Sequence, residues 1–180
     1  MNQDRRNILN AAAGAMLAGA VAPAVAQEPA APSKAGEFDF LNGEWRIAHR
    51  RLKAPGEWDV FDGEATCWSI LGGVASVEEL RIPARNFAGM GLRTLDQTNH
   101  VWMDYWMNAK VGLVGGAGTP GRFINGDGVF TSDDTADGKP IKVRGLWDRI
   151  TGRSHRWSQS VSRDGGVTWE DNWLMEWVKV

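Results

Sequence analysis

The sequence predicts an all-β domain that closes into a single antiparallel up-and-down barrel of about 8–10 strands. From Trp45 onward apolar and polar residues alternate with a period of two, and helical spacing of apolar residues is not sustained for three turns anywhere. Short connections rich in Gly, Asp and Pro separate the alternating runs. A meander of this length favours closure, because a closed barrel has no unpaired edge strand.

Nine strands are predicted between these connections. They cover 44–53, 58–71, 74–82, 89–96, 100–107, 122–131, 140–150, 153–163 and 168–179. The residue types between them are typical of tight turns, at Pro55-Gly56, Gly72-Gly73, Asp96 to Asn99, Asp133 to Gly138, Thr151-Gly152 and Asp164-Gly165-Gly166.

Side-chain alternation assigns an inward face to most of these strands. On strand 153–163 this alternation places Ser154, Ser158, Ser160 and Ser162 on the face exposed to water. Strand 100–107 has two apolar faces, and we choose the one with Tyr105 because it leaves His100 and Asp104 in water. The inward side chains predicted on the other strands include Trp45, Ile47, His49, Glu78, Leu80, Trp147, His155, Trp157, Gln159, Trp169, Trp173, Met175 and Trp177.

Residues 1–26 have the composition of an export signal. Arg5-Arg6 precedes an uncharged run rich in Ala and Gly over 8–22, and Ala24-Val25-Ala26 provides a small-x-small cleavage pattern. The paired arginines resemble a twin-arginine signal. We therefore expect cleavage after Ala26 and a periplasmic or secreted protein with no membrane segment in its mature form; an uncleaved membrane anchor is the alternative.

The charge composition argues against a nucleic-acid partner. The 180 residues include 20 Lys and Arg and 22 Asp and Glu, giving a net charge of −2, and the basic residues are scattered. A nucleic-acid partner is therefore not expected.

Residues 27–37 are predicted to be a Pro/Ala-rich linker and residues 38–180 the barrel domain. Cys67 is the single cysteine, and we expect it to be buried.

Two segments at opposite ends of the domain carry a family resemblance. The opening, Phe40-Leu41-Asn42-Gly43-Glu44-Trp45-Arg46-Ile47, resembles the G-x-W first strand of lipocalin-type barrels, in which the tryptophan plugs the closed end. Together with an ending over 162–173, it is similar to a family of uncharacterised secreted bacterial proteins with a lipocalin-like (calycin-type) barrel. The resemblance covers about 38–180 and implies the barrel, with structural roles for Gly43 and Trp45, but no agreed activity.

The ending itself contains an Asp-box pattern, Ser162-x-Asp164-x-Gly166-x-Thr168-Trp169. In this pattern the aspartate and the hydroxyl groups bind local backbone while the tryptophan packs beneath the turn. The pattern is seen in sialidase-like propellers, but one copy cannot supply the several blades of a propeller. We therefore predict a structural role for Asp164, Gly166 and Trp169.

Three apparent motifs lack a required part. Gly116 to Gly121 satisfies G-x-G-x-x-G, but Pro120 denies the helix that a dinucleotide needs, which favours a loop at the barrel mouth. The acidic run from Asp133 has Arg144 where a calcium loop requires Glu. His49, His100 and His155 show no metal-ligand spacing. No metal and no cofactor are expected.

The resulting functional hypothesis is a barrel whose lumen binds a small apolar or aromatic molecule. The predicted ligand-binding residues are Tyr105, Trp157, Gln159, Trp173 and Trp177. A second hypothesis is a hydrolase, isomerase or lyase in which His49 and Glu78 act as acid and base. A third is a haem protein of the nitrobindin type with an axial histidine, and a fourth is a structural barrel whose lumen is filled with tryptophan. The oligomeric state is left open.

Overall fold

A computed structural model describes residues 31–180, so the predicted export signal lies outside the described residues. The described chain forms one closed barrel of ten antiparallel strands, as predicted. The helical parts of 31–180 are 3-10 turns at Asp39–Leu41, Leu71–Gly73 and Pro83–Arg85, and none is long and apolar enough to cross a membrane. The strands are β1 Gly43–Ala54, β2 Glu57–Ile70, β3 Ala75–Ile82, β4 Phe87–Asp96, β5 Val101–Asn108, β6 Thr119–Ile124, β7 Asp127–Ala136, β8 Lys139–Asp148, β9 Ser154–Ser162 and β10 Glu170–Lys179.

Each strand pairs with the next along the chain, and β1 pairs with β10 to close the barrel. The prediction of a single strand over 122–131 is wrong, because this segment is a hairpin formed by β6 and β7. Asn125 and Gly126 lie at its turn with φ of 53° and 92°. Two successive left-handed residues of this kind are typical of a two-residue hairpin turn. The Asn-Gly pair is the sequence signal of this turn, but the apolar residues on both sides of it were interpreted as one continuous strand.

An aromatic core fills one end of the barrel, where β1 begins. Phe38, Trp45, Trp102, Trp147 and Trp177 are each at most 2% exposed there. The 3-10 turn that precedes β1 caps this end, since Trp45 Nε1 donates a hydrogen bond to the Leu41 carbonyl over 2.6 Å. Residues 33–37 also contact the cap, because Glu37 accepts a hydrogen bond of 2.8 Å from Trp102 Nε1. We call this the closed end.

The predicted inward faces of β1 and β3 agree with the burial of their side chains, and on β8 the predicted inward Trp147 is the one fully buried residue. The face assigned to β5 is wrong. Trp102 is fully buried in the core, Asp104 forms an ion pair with an interior arginine, and Tyr105 therefore lies on the outer face, against Gly118. The choice failed because it assumed that an inward Asp104 would lose water without compensation, whereas Asp104 lies beside the Arg93 guanidinium and keeps 26% of its side chain accessible.

The predicted inward position of Trp169 is also wrong. A β-bulge between Asp171 and Trp173 inserts Asn172, so side chains before the bulge point to the opposite face from those expected. Trp169 consequently lies outside the barrel, with the Arg144 guanidinium 4.3 Å from its ring centroid.

The serines of β9 are not in water, contrary to prediction. Ser158, Ser160 and Ser162 point outward but are at most 2% exposed. Ser160 donates a hydrogen bond of 2.7 Å to Asp171 on β10 and lies opposite Arg144 on β8. Long side chains of the neighbouring strands thus cover these small ones, which alternation along a single strand does not reveal.

Candidate functional site

One arginine divides the barrel interior into two halves. Arg93 projects inward from β4, and its guanidinium carbon lies 4.9 Å from the ring centroid of Trp147 on β8 and 5.4 Å from that of Phe38. Because β8 is four strands away from β4 in the ten-strand order, this side chain reaches across the lumen. The aromatic core lies on its closed-end side, and we call the remaining space the open half.

Two carboxylates flank the buried guanidinium. Arg93 Nη2 donates a hydrogen bond of 2.5 Å to Glu78 Oε2, and Arg93 Nε lies 3.6 Å from Asp104 Oδ1. The side chains of Arg93 and Glu78 are each 4% exposed. Although burial lowers the pKa of Arg93, the Glu78 and Asp104 carboxylates raise it above its ordinary value overall, so the guanidinium stays charged.

Asp104 is enclosed by the barrel and still reached by water. Burial raises the pKa of its carboxyl to about 6, although Arg93 opposes the shift. At the same time 26% of the side chain is solvent accessible. Asp104 alternates with the buried Trp102 on the inward face of β5, so its accessible surface lies on the lumen side of the strand. The open half is therefore not filled at the level of Asp104.

Indole and amide groups line the same half from the other side of the barrel. Trp157, Gln159 and Trp173 are inward residues of β9 and β10, and all three are only partly buried. The Trp157 and Trp173 rings meet edge to face at 5.9 Å, and Trp157 is 6.4 Å from Trp147. These contacts link the wall of the open half to the floor formed by Arg93 and Trp147.

Glycines on β4 make room for large side chains along the opposite wall. A Cβ at Gly91 would lie 2.9 Å from Arg93 Nη2, and a Cβ at Gly89 would overlap the Trp106 ring. Trp106 is 40% exposed at the end of β5 and stacks on Phe87 at 6.5 Å. The absence of a side chain at both glycines lets the ring and the guanidinium lie flat against the wall.

Arginines lie on two aromatic rings at the mouth of the open half. The Arg85 guanidinium is 3.4 Å from the Phe61 centroid, and Arg51 is 4.7 Å from that of Trp173. Arg85 also forms a 2.8 Å ion pair with Asp59. The mouth therefore combines apolar ring surface with fixed positive charge.

His49 is fixed as a neutral imidazole beside this mouth. Trp173 Nε1 donates a 3.2 Å hydrogen bond to His49 Nδ1, and the imidazole stacks on Phe61 at 4.6 Å. An indole N–H can only donate, so Nδ1 is unprotonated and the proton is on Nε2. Burial, with a contribution from Arg85, lowers the pKa of His49 to about 4. A protonated Nε2 has no lone pair for iron, so this arrangement does not fit an axial haem ligand.

The structure does not bring the two predicted acid-base residues together. His49 lies opposite Phe61 on β2, whereas Glu78 lies opposite Cys67, six residues further along the same strand. Six residues correspond to roughly 20 Å along a strand. Glu78 is moreover engaged by Arg93. His49 and Glu78 therefore do not share a single reaction centre.

The predicted ligand-binding residues separate into three groups. Trp157, Gln159 and Trp173 line the open half. Trp177 is 1% exposed within the aromatic core, where His155 stacks on it at 4.9 Å. Tyr105 lies on the outer face of β5. A ligand in the open half would therefore contact the first group only.

The predicted structural residues occupy two tight junctions. Gly43 begins β1 with φ of 123°, where a Cβ would lie 2.9 Å from Lys179. In the Asp-box turn, Asp164 accepts hydrogen bonds from the backbone and the hydroxyl of Thr168, and Trp169 Nε1 donates to the Gly166 carbonyl over 3.1 Å. The hydrogen bonds from Thr168, with one from the Ser162 hydroxyl, lower the pKa of Asp164 well below its ordinary value. These contacts join the side chains of the turn to its own backbone.

Sequence reasoning missed the centre of the site, which is Arg93 with Asp104. A signal for Arg93 was present, because it continues the inward phase of Gly89, Gly91 and Leu95 on β4. A charged residue at an inward position of a barrel strand indicates a buried ion pair or a ligand contact. The partner on β5 could not be identified, since the face of that strand was ambiguous.

Two grooves on the outer surface are less suited to a site. One, of about 680 Å³, lies over β1, β2 and β10 beside Pro83, and the other, of about 400 Å³, lies near Phe87 and Lys110. Both are open to solvent, and the charged side chains at the first, such as Arg46 and Glu64, point into water. Neither groove borders the Arg93 cluster, so we assign the candidate site to the lumen.

Comparison with known proteins gives no assignment. No family model matches the chain, and no curated protein matches it. Within residues 31–180, no group of three His, Cys, Asp or Glu side chains is arranged to hold a metal ion.

Proposed function

We propose that this protein binds a small, largely apolar or aromatic molecule in the open half of its barrel. The observation that supports this proposal most directly is Asp104, which is enclosed by the barrel and yet 26% accessible to water. The partly buried rings of Trp157 and Trp173 offer flat apolar surface to the same space, and Gln159 offers an amide. A few polar groups among aromatic walls are typical of small-molecule sites.

The proposal includes the class and location of the protein. We infer a lipocalin-like barrel of the uncharacterised secreted bacterial family that its two end motifs resemble. The ten-strand closure supports this class, as does the plug of the closed end by Trp45 of the G-x-W strand. Export to the periplasm or beyond rests on residues 1–26 alone. A binding role is favoured over catalysis because His49 and Glu78 lie apart.

The test uses N-phenyl-1-naphthylamine, a neutral aromatic probe whose fluorescence increases in apolar sites. We expect saturable binding to the full chain. Trp157→Leu should weaken the affinity about 2–10-fold, since an aromatic contact contributes about 0.5–1.5 kcal/mol. Trp68→Leu is the matched control, because Trp68 is 43% exposed on the outer face of β2. Absence of saturable binding, or equal effects of the two variants, contradicts the proposal.

A further inference from the structure

The Asp104 carboxylate is an unused acceptor. No residue within 31–180 donates a hydrogen bond to it, and Arg93 Nε is 3.6 Å away, beyond hydrogen-bond length. An ionised carboxylate can accept about four hydrogen bonds. Since a quarter of the Asp104 side chain is accessible, a molecule in the open half can reach it directly.

The floor of the open half also carries an excess of negative charge. Two carboxylates, Glu78 and Asp104, face one guanidinium. That guanidinium is itself incompletely used, because Arg93 Nε and Nη1 have no hydrogen-bond partner among the described residues although the side chain is 4% exposed. Buried charge that is not balanced costs free energy. The accessible member of this unbalanced group is Asp104, so a ligand in the open half would meet a carboxylate rather than a guanidinium.

Aromatic surface near the carboxylate favours a cation over a neutral donor. Trp106 follows Asp104 on the inward face of β5, and the partly buried ring of Trp157 lies on the other side of the lumen. Indole faces attract ammonium groups, most strongly where water is excluded. An anionic head group is disfavoured, because the unpartnered nitrogens of Arg93 are fully enclosed while Asp104 is the accessible charge.

We propose that the molecule bound in the lumen is an amine with an aromatic or aliphatic body, and that its ammonium group binds Asp104. This inference rests on the proposed function and adds the chemical class of the ligand. One ammonium neutralises the excess charge of the floor and donates up to three hydrogen bonds. The apolar body then extends over Trp157 and Trp173 toward the mouth.

Binding should weaken in acid, because protonation of Asp104 removes the charge that holds the amine. The groups that face Asp104 are Arg93 on β4 and Glu78 on β3, with the uncharged Thr119 opposite it on β6. Near Glu78 and Arg93, β2 contributes Cys67, whose thiol pKa is raised by burial above its ordinary range and which is therefore neutral. Burial lowers the pKa of His49 to about 4 and that of His155 to about 3, so both are neutral near pH 6, where Asp104 titrates.

The experiment compares three probes that differ only in the head group. 2-Phenylethylamine, 2-phenylethanol and 3-phenylpropionate each compete with N-phenyl-1-naphthylamine for the full chain at pH 7.5. A charge-assisted hydrogen bond is roughly twice as strong as a neutral one, so we expect the amine to bind about tenfold or more tightly than the alcohol. The carboxylate should bind least.

Asp104→Asn isolates the carboxylate, and it leaves Arg93 and Glu78 as a neutral pair. We expect amine affinity to fall to that of the alcohol, each affinity being calculated from the N-phenyl-1-naphthylamine affinity measured for the same variant. Asp127→Asn is the control, since Asp127 is exposed at the turn between β6 and β7. If Asp104→Asn does not fold, the wild-type chain supplies the test, as amine affinity must fall between pH 7.5 and 5 while alcohol affinity does not.

Failure of this inference is distinguishable from failure of the proposed function. If N-phenyl-1-naphthylamine binds but the amine and the alcohol compete equally, the amine assignment is overturned and the lumen site stands. The same holds if amine binding survives Asp104→Asn. If no probe binds, the lumen site itself is overturned.

Discussion

Trp173 on β10 donates a hydrogen bond of 3.2 Å from its Nε1 to Nδ1 of His49 on β1. The contact spans the seam at which the barrel closes, because β1 and β10 are the first and last strands. It also fixes the proton of His49 on Nε2. One hydrogen bond thus joins the closure of the fold to the proton state of a group at the mouth of the candidate site.

The first prediction is that His49 makes the protein less stable in acid. Its folded pKa is about 4 against an ordinary value of 6.5, so between these pH values the unfolded chain binds more protons. Stability from this group is complete above pH 6.5 and is lost as the pH falls toward 4, by roughly 1.4 kcal/mol for each pKa unit of difference. Urea unfolding from pH 4 to 7 measures the slope.

His49→Gln tests the assignment, because glutamine can still accept from Trp173 but does not titrate. We expect the acid slope to decrease by about one proton relative to wild type. The variant comparison is needed because Asp104, with its raised pKa, contributes a slope of opposite sign, its stabilisation being lost as the pH rises through about 6. His100→Asn at an exposed turn is the control. Equal slopes in His49→Gln and wild type would contradict the prediction.

A second prediction concerns the buried ion pair. Arg93→Met leaves two carboxylates without their cation, and loss of one partner of a buried pair costs about 3–5 kcal/mol. We expect Arg93→Met with Glu78→Gln to recover part of that loss. Arg81→Met is the control, since Arg81 and Glu64 form a surface pair whose side chains are 30% and 51% exposed, and such pairs contribute about 0–1 kcal/mol. Similar losses for Arg93→Met and Arg81→Met in urea unfolding would show that the ion pair is not a stabilising element.

A third prediction tests the space that glycine leaves beside His49. A Cβ at Gly63 would lie 2.5 Å from His49 Nε2 and 3.1 Å from the Arg81 carbonyl. Gly63→Ala should therefore destabilise the fold by about 1–3 kcal/mol, as overpacking does. Gly152→Ala is matched to it, because nothing lies within 4 Å of its Cβ position. Thermal unfolding of the two variants compares them, and an unchanged Tm for Gly63→Ala contradicts the predicted clash.

A fourth prediction concerns the turn between β9 and β10. Asp164→Ala removes the acceptor for the Thr168 amide and hydroxyl and for the Val167 amide. We expect a lower Tm and faster hydrogen exchange at Thr168, while amides of the distant β4 keep their exchange rates. Asp127→Ala, at an exposed turn, should leave Thr168 protected. Slow exchange at Thr168 in the Asp164→Ala variant would show that the side chain does not hold the turn.

Much of the fold was predictable because strand alternation is a local property. A side chain two residues from Trp45 must share its face, and this rule placed Ile47 and His49 correctly. The rule failed where both faces of a strand are apolar and where a bulge interrupts the alternation. Strand β5 has two apolar faces, and the bulge at Asn172 reversed the face of Trp169 without any change in composition.

The candidate site was less predictable because its members meet only through closure. Glu78 was placed inward from the pattern of β3, but its partner Arg93 lies 15 residues away and Asp104 lies on the misassigned strand. The burial of Ser160 likewise depends on Arg144 and Asp171 from two neighbouring strands. Contacts of this kind are set by the register between strands, which the turns and the whole sheet determine together.

The sequence by itself determined the all-β class and the inward direction of Trp45, Trp157, Trp173 and His49, because the pleat has a fixed period of two. Only the tertiary structure decided what those inward groups do. Closing ten strands sends Arg93 across the lumen, fills the space on one side of it with rings and leaves Asp104 accessible on the other. The size of the remaining space depends on the distance between opposite strands. That distance is set when the barrel closes, and no single strand contains it.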